Sequence, residues 1–146
     1  MIIENDNFNL QQIADSGQCF RWKKLDDDLY LIPALGHLLI AKQDGNRIEF
    51  SCDENEWDNV WSDYFDCSRN YESIAKKILS GNDNHLKESY LSGSGIRILK
   101  QNIWEMIFSF MVSQNNNIKR ISGSIEKICN FCKVNIIKSK FDYKLL

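Results

Sequence analysis

Two periods of hydrophobic residues divide the chain. Over the first 50 residues, apolar side chains recur at about every second position, the spacing of half-buried strands. Phe8-Asn9-Leu10 reads as a short strand, and Gln18-Cys19-Phe20-Arg21-Trp22 alternates with its aromatics on one face. Asp26-Asp27-Asp28 is a solvated turn between this run and two apolar runs, residues 29–35 and 38–42, which Gly36-His37 separates. Asp44-Gly45 predicts a type I′ hairpin, after which residues 47–51 alternate cleanly. Together they predict an antiparallel meander. Pro33 cannot donate to a ladder and fits an edge or a bulge.

The period then changes to that of a helix. Trp57, Val60, Trp61, Tyr64 and Phe65 form one stripe, with Asp53 and Glu54 at its positive N-terminal end. Tyr71, Ile74, Ala75, Ile78 and Leu79 form a second stripe, ended by Gly81, and a weaker helix covers residues 85–91. Ser92-Gly93-Ser94-Gly95 marks a domain boundary. Beyond it, Asn102 and Glu105 have the spacing of a capping box, and residues 103–112 are apolar on nearly every side, which predicts a buried core helix. Ser113-Gln114-Asn115-Asn116-Asn117 breaks that pattern, and Ile118, Ile121, Ile125 and Ile128 restart it. The fold class is α+β.

Composition narrows the class. The chain has 146 residues and a formal charge of −2, with ordinary globular proportions of hydrophobic (43%) and charged (26%) residues. Neither an apolar run long enough for a membrane span nor a signal peptide is visible. Five irregularly spaced cysteines predict free thiols and an intracellular, reducing setting. The near-zero charge argues against nucleic acid until it is divided. Residues 1–66 carry 14 acids against 5 bases, whereas residues 67–146 carry 6 acids against 13 bases.

The basic part holds the most informative polar cluster. Asn117 is a good N-cap, and Lys119 and Arg120 fall in the first turn of the helix behind it. A helix N-terminus with two bases can seat a phosphate, and Asn can read base edges. A capped polar turn explains one asparagine of Asn115, Asn116 and Asn117, but not all three. Gly17 precedes the Gln18–Trp22 run, where it serves either a turn or close approach to a ligand. Arg21 beside Trp22 suits a structural ion pair, and His37 suits the surface. Cys129 and Cys132 have zinc-ligand spacing but no second pair, so no metal and no cofactor is expected.

These motifs carry a resemblance. Phe8-Asn9-Leu10, Ser16-Gly17-Gln18-Cys19-Phe20-Arg21-Trp22, Tyr64-Phe65-Asp66 and Gly95-Ile96-Arg97-Ile98-Leu99-Lys100-Gln101 are followed by Trp104-Glu105-Met106-Ile107-Phe108-Ser109-Phe110. The series closes with Ser113-Gln114-Asn115-Asn116-Asn117-Ile118-Lys119-Arg120-Ile121. In order and spacing it resembles the 8-oxoguanine DNA glycosylase/AP lyase family of the helix-hairpin-helix superfamily. The resemblance implies an N-terminal domain at residues 1–94 and the start of an all-helical glycosylase domain at residues 95–146. The implied partner is double-stranded DNA containing oxidised guanine.

By the same resemblance, the backbone carbonyl of Gly17 accepts from the N7–H that only the oxidised purine carries. Asn115 fills the gap left by the flipped base, Arg120 contacts the orphaned cytosine, and Ile118 lines the lesion pocket. The family's attacking Lys, assisting Asp and Leu-Pro-Gly hairpin have no counterpart, because the one proline is Pro33. The chain therefore reads as a truncated member, with no catalytic residue of its own and a possible missing C-terminal half. Its expected function is base-excision repair by descent, with no excision by this chain alone. The alternatives are a non-catalytic damaged-DNA-binding module and a non-functional remnant.

Overall fold

The computed structural model describes residues 1–131. Its five strands form one antiparallel sheet: β1 (Ile2–Glu4), β2 (Lys23–Asp26), β3 (Leu29–Ala34), β4 (His37–Asp44) and β5 (Arg47–Phe50). Their order is β1-β5-β4-β3-β2, a meander whose last strand takes the N-terminal strand as its neighbour. Alternate residues Tyr30, Ile32 and Ala34, Leu39 and Ala41, and Ile48 and Phe50 are buried on one core. Pro33 pairs with Leu38 on one side and lies beyond the end of β2 on the other, so its missing N–H costs no ladder bond.

The turns differ from expectation in an instructive way. At the β4–β5 hairpin Gly45 has φ 60°, while Asn46 is not among the positive-φ residues. This is the type II′ pattern, not I′. The I′ pattern falls instead between β3 and β4, where Leu35 (φ 53°) and Gly36 (φ 80°) are both left-handed. A leucine there is strained.

Two segments read as strands are not. Asn9 is the N-cap of α1 (Leu10–Asp15), its side chain accepting from the Gln12 N–H, so Phe8-Asn9-Leu10 leads into a helix. Gln18–Trp22 pairs with no strand; its polar groups are met by side chains and by an extended segment described below.

The stripe from Trp57 to Phe65 forms as one helical run, α2, made of Glu54–Glu56, a π-helical stretch Trp57–Trp61, and Ser62–Tyr64. Asp53 caps it by accepting from the Glu56 N–H at 2.8 Å. Its aromatics join the sheet's: Phe50 lies 4.7 Å from Trp57, and Phe8 and Tyr64 each lie 5.1 Å from Phe65. Helices α3 (Tyr71–Ser80) and α4 (Asn84–Ser92) follow.

Residues 95–101 then cross back over this unit without regular secondary structure. Gly95 is pressed against α1: the Asn9 N–H donates to its carbonyl at 2.9 Å, and its own N–H donates to Gln12 Oε1 at 2.8 Å. Arg97 is buried, its guanidinium over the rings of Tyr71 and Phe8 and its Nε donating to the Asn7 carbonyl. Leu99 enters the core.

Two more helices complete the described chain, α5 (Ile103–Ser113) and α6 (Ile118–Phe131). The expectation that residues 103–112 are a buried core helix is corrected. Trp104 is 78% exposed and Phe110 68%, and no residue of α5 is buried. Its apolar composition is that of a helix covered by other elements, and among the described residues α6 packs against it but leaves most of it exposed. No helix among the described residues is long and apolar enough to cross a membrane.

Three stability measurements follow. A Cβ on Gly95 would sit 2.3 Å from Asn9 Cβ, so Gly95→Ala should destabilise by about 1–3 kcal/mol in chemical denaturation. Gly123→Ala, on α6 with open space around it, should instead stabilise by roughly 0.5–1 kcal/mol. Replacing Leu35 by Asn, which tolerates the left-handed region, should stabilise by about 0.5–1 kcal/mol, read as a thermal midpoint raised by a few degrees.

Candidate nucleic-acid interface

Helix α5 ends in a turn built almost wholly from polar residues. Asn115 adopts φ 51°, a conformation Asn accepts more readily than other side chains with a Cβ. Its side chain is exposed and, among the described residues, without a hydrogen bond. The Asn116 amide donates to the Val112 carbonyl at 3.2 Å, and its Oδ1 accepts from the Asn117 N–H at 3.0 Å. Asn117 caps α6, accepting from the Arg120 N–H at 3.1 Å. The three asparagines thus serve the turn in different ways: one reverses the chain, one staples the turn, and one caps the next helix. Asn115 alone, among the described residues, commits no side-chain atom to the turn.

Ile118, Lys119 and Arg120 are all exposed on the first turn of α6, and neither base forms an ion pair among the described residues. The positive end of a 14-residue helix and two free cations therefore face solvent together. This is the electrostatic basis of anion binding. Cys132 lies outside the described residues.

Gly17 sits elsewhere, on the exposed turn after α1, at φ 77° with nothing within 4 Å of where a Cβ would stand. The glycine serves backbone conformation, not close packing. Hydrogen bonding and ion pairing connect this turn to α5 and α6. Gln18 bonds the crossing segment, its Nε2 donating to the Arg97 carbonyl at 2.9 Å and its Oε1 accepting from the Leu99 N–H at 3.0 Å. Arg21 pairs with Glu105 at 3.1 Å, the structural ion pair its neighbours suggested, and Lys23 pairs with Glu126 of α6. Glu105 therefore does not complete the capping box; Asn102 caps α5 by itself. A cleft of about 180 Å³ lies between these parts, lined by Phe20, Trp22, Pro33, Ser122 and Cys129 among others, but by neither Gly17 nor Ile118.

The titratable groups offer no activated nucleophile among the perturbed thiols. Burial, assisted by Glu105, pushes Cys19 up to about 12, and burial pushes Cys52 up to about 11, so both are neutral thiols at pH 7. Asp66, buried at φ 52°, behaves oppositely. Burial raises its carboxyl, but hydrogen bonds from Arg69 and Tyr71 and the charges of Arg69 and Lys100 outweigh that and hold it below the usual carboxylate range. Tyr71 Oη also accepts from the Ile98 N–H at 2.9 Å, so this cluster grips the crossing segment from the other side. His37, half-exposed against Glu56 and Trp61, is a surface residue.

Sequence reasoning gave no role to Gln18, Asp66 or Arg97, although all three lie within the motifs. Arg97 carried a signal, standing between two isoleucines in an otherwise apolar run.

Known proteins share this fold. The family model described as the 8-oxoguanine DNA glycosylase N-terminal domain matches residues 1–107. An N-glycosylase/DNA lyase of Saccharomyces cerevisiae is 50% identical over 40 residues, 27% of this chain and 11% of the yeast protein. The structure of MBOgg1 in complex with a low-affinity DNA ligand superimposes with a TM-score of 0.76 at 37% identity, covering 83% of this chain and 42% of that one. A Clostridium acetobutylicum 8-oxoguanine glycosylase/lyase, bound to duplex DNA with cytosine opposite 8-oxoguanine, gives 0.75 at 37% identity over 84% of this chain and 45% of its own. The chain thus spans less than half the length of these structures. With an α+β sheet unit running into helices in the same order, it belongs to the 8-oxoguanine DNA glycosylase family.

Proposed function

We propose that the chain is the lesion-recognising part of an 8-oxoguanine DNA glycosylase/AP lyase that acts on oxidised guanine in duplex DNA. In this reading residues 1–94 are its N-terminal domain, residues 95–146 begin its helical domain, and its site of action is intracellular. The observation that carries the reading is the turn after α5, where an exposed Asn115 stands beside a helix N-terminus bearing Lys119 and Arg120. The exposed amides and bases would hold backbone phosphate, the sequence-independent part of affinity. Asn115 would enter the stack where the base leaves it, offsetting an unstacking cost of a few kcal/mol.

Arg120 would then reach the orphaned cytosine, and Ile118 would offer the flipped base an apolar wall. Asn116 and Asn117, committed to the turn, would act through their backbone. The Gly17 carbonyl would separate the oxidised purine from guanine, whose N7 is an acceptor and would repel it.

Excision needs an amine nucleophile at the sugar and a carboxylate to assist, and no residue of this chain takes either role in the reading. A free-standing DNA-binding module is disfavoured by α5, on which Trp104, Phe110 and Met111 are exposed among the described residues, as on a surface made to be covered.

Two experiments test the reading. Asn115→Gly keeps the left-handed backbone and removes the wedge; it should weaken binding to an 8-oxoguanine:cytosine duplex by about 1–3 kcal/mol in fluorescence anisotropy. In the same assay Lys119→Ala should reduce the slope of log affinity against log salt by roughly 1, and unchanged values for both variants would remove this interface. Borohydride treatment of the chain with lesion duplex should trap no covalent adduct, and a trapped adduct would show that a nucleophile has been overlooked.

A further inference from the structure

We propose that Gln18 is a positioning residue that holds the Gly17 carbonyl in register with helix α5, so that lesion discrimination depends on a side chain with no contact to DNA. The inference rests on the role given to Gly17 above.

The turn at Gly17 has a positive φ and nothing packed around the glycine. Such a turn swings freely unless its neighbour fixes it, and Gln18 supplies that restraint. Its Nε2 donates to Ser16 Oγ at 3.0 Å and to the Arg97 carbonyl at 2.9 Å, and its Oε1 accepts from the Leu99 N–H at 3.0 Å. Its backbone carbonyl, one peptide unit from that of Gly17, accepts from Gln101 Nε2 at 2.6 Å. Both ends of one amide are used in a fixed sense. A carboxylate lacks the donor, and an apolar side chain lacks both groups.

The segment that Gln18 grips is itself anchored. Arg97 is buried between Tyr71 and Phe8, and Leu99 is in the core. It runs directly into Asn102, the cap of α5, and Arg21–Glu105 adds a second link three residues along. The Gly17 carbonyl and the helix that carries the asparagine turn are thereby mounted on one frame. A carbonyl that distinguishes an N–H from a lone pair works only within hydrogen-bond tolerance, a few tenths of an ångström, so loosening the frame degrades selectivity before it degrades binding.

The test uses the full chain and two duplexes that differ only in 8-oxoguanine or guanine opposite cytosine, and reads the ratio of the two affinities. Gln18→Leu should lower that ratio about fivefold, equivalent to a lost hydrogen bond of about 1 kcal/mol, while affinity for the guanine duplex stays unchanged. Gln18→Glu, which keeps the acceptor for Leu99, should fall between Gln18→Leu and the unaltered chain. A purely structural role would lower both affinities together along with the thermal midpoint; an unmoved ratio in Gln18→Leu overturns the proposal. Should Gln18→Leu not fold, Gln101→Leu, which frees the Gln18 carbonyl, is judged by the same ratio. Equal affinity of the unaltered chain for both duplexes would overturn the Gly17 reading itself, and this proposal with it. Discrimination that survives both substitutions overturns this proposal alone.

Discussion

The structure depends on satisfying the backbone of residues 95–101. These residues have no ladder and no helix, yet they cross a buried surface where an unpaired N–H or carbonyl costs about as much as a lost hydrogen bond. Ile96 bonds locally to the Gly93 carbonyl, and most of the other bonds come from residues far away in sequence. Asn9 and Gln12 of the α1 region serve Gly95, Tyr71 serves Ile98, Gln18 serves Arg97 and Leu99, and the Tyr64 carbonyl accepts from Lys100. The first helix, the glycine turn, the aromatic run and α3 are thus tied together by a segment that contributes one leucine to the core. Where α5 begins, and which way it leaves, follows from this crossing.

That dependence explains what the sequence revealed and what it hid. Periodicity located β3, β4, β5 and every helix from Glu54 onward, because those elements bury a face whose spacing is visible in the residues themselves. Gln18–Trp22 looked like a strand because polar and apolar residues alternate in it, yet Cys19 and Trp22 pack on the core while Phe20 lines the cleft beside α6. The hydrogen-bond partner of this run, moreover, is an irregular segment about 80 residues away, which no local pattern announces. The hairpin turns failed similarly. Asp44-Gly45 carries the favoured residues for I′, while the true I′ turn holds a leucine that only the strand register imposes. At the candidate interface, the asparagine cluster and its bases were plain in the sequence. The division of labour among Asn115, Asn116 and Asn117 was not, since it depends on one left-handed residue.

The charge pattern acquires a direction as well. The sequence divides into an acidic first part and a basic second part, yet the ion pairs at the junction with α5 and α6 run against that division. Arg21 and Lys23 come from the acidic part, and they pair with Glu105 and Glu126 of the basic part. These pairs neutralise the acids of the two helices and leave Lys119 and Arg120 unopposed among the described residues. The exposed Lys23–Glu126 pair adds little stability, about 0–1 kcal/mol, whereas Arg21–Glu105 is half-buried. Their larger effect is on the charge of the two helices, whose carboxylates are already paired with Arg21 and Lys23 while Lys119 and Arg120 are not.

The exposed face of α5 bears on the same end. The helix is 11 residues long and is capped and ion-paired only near its start, at Asn102 and Glu105. Its rise of about 1.5 Å per residue puts the asparagine turn more than ~10 Å from those anchors. Along that length Ile103, Trp104, Met106, Phe110 and Met111 meet solvent. Isolated helices this short are marginal in water, and packing is what usually holds them. In the role proposed for Asn115, a residue that replaces a base within a stack would tolerate little displacement, so cover over α5 and precision at Asn115 would be one requirement. On the proposed reading, recognition at the turn would depend on whatever buries that helix, even though no covering residue need approach the DNA.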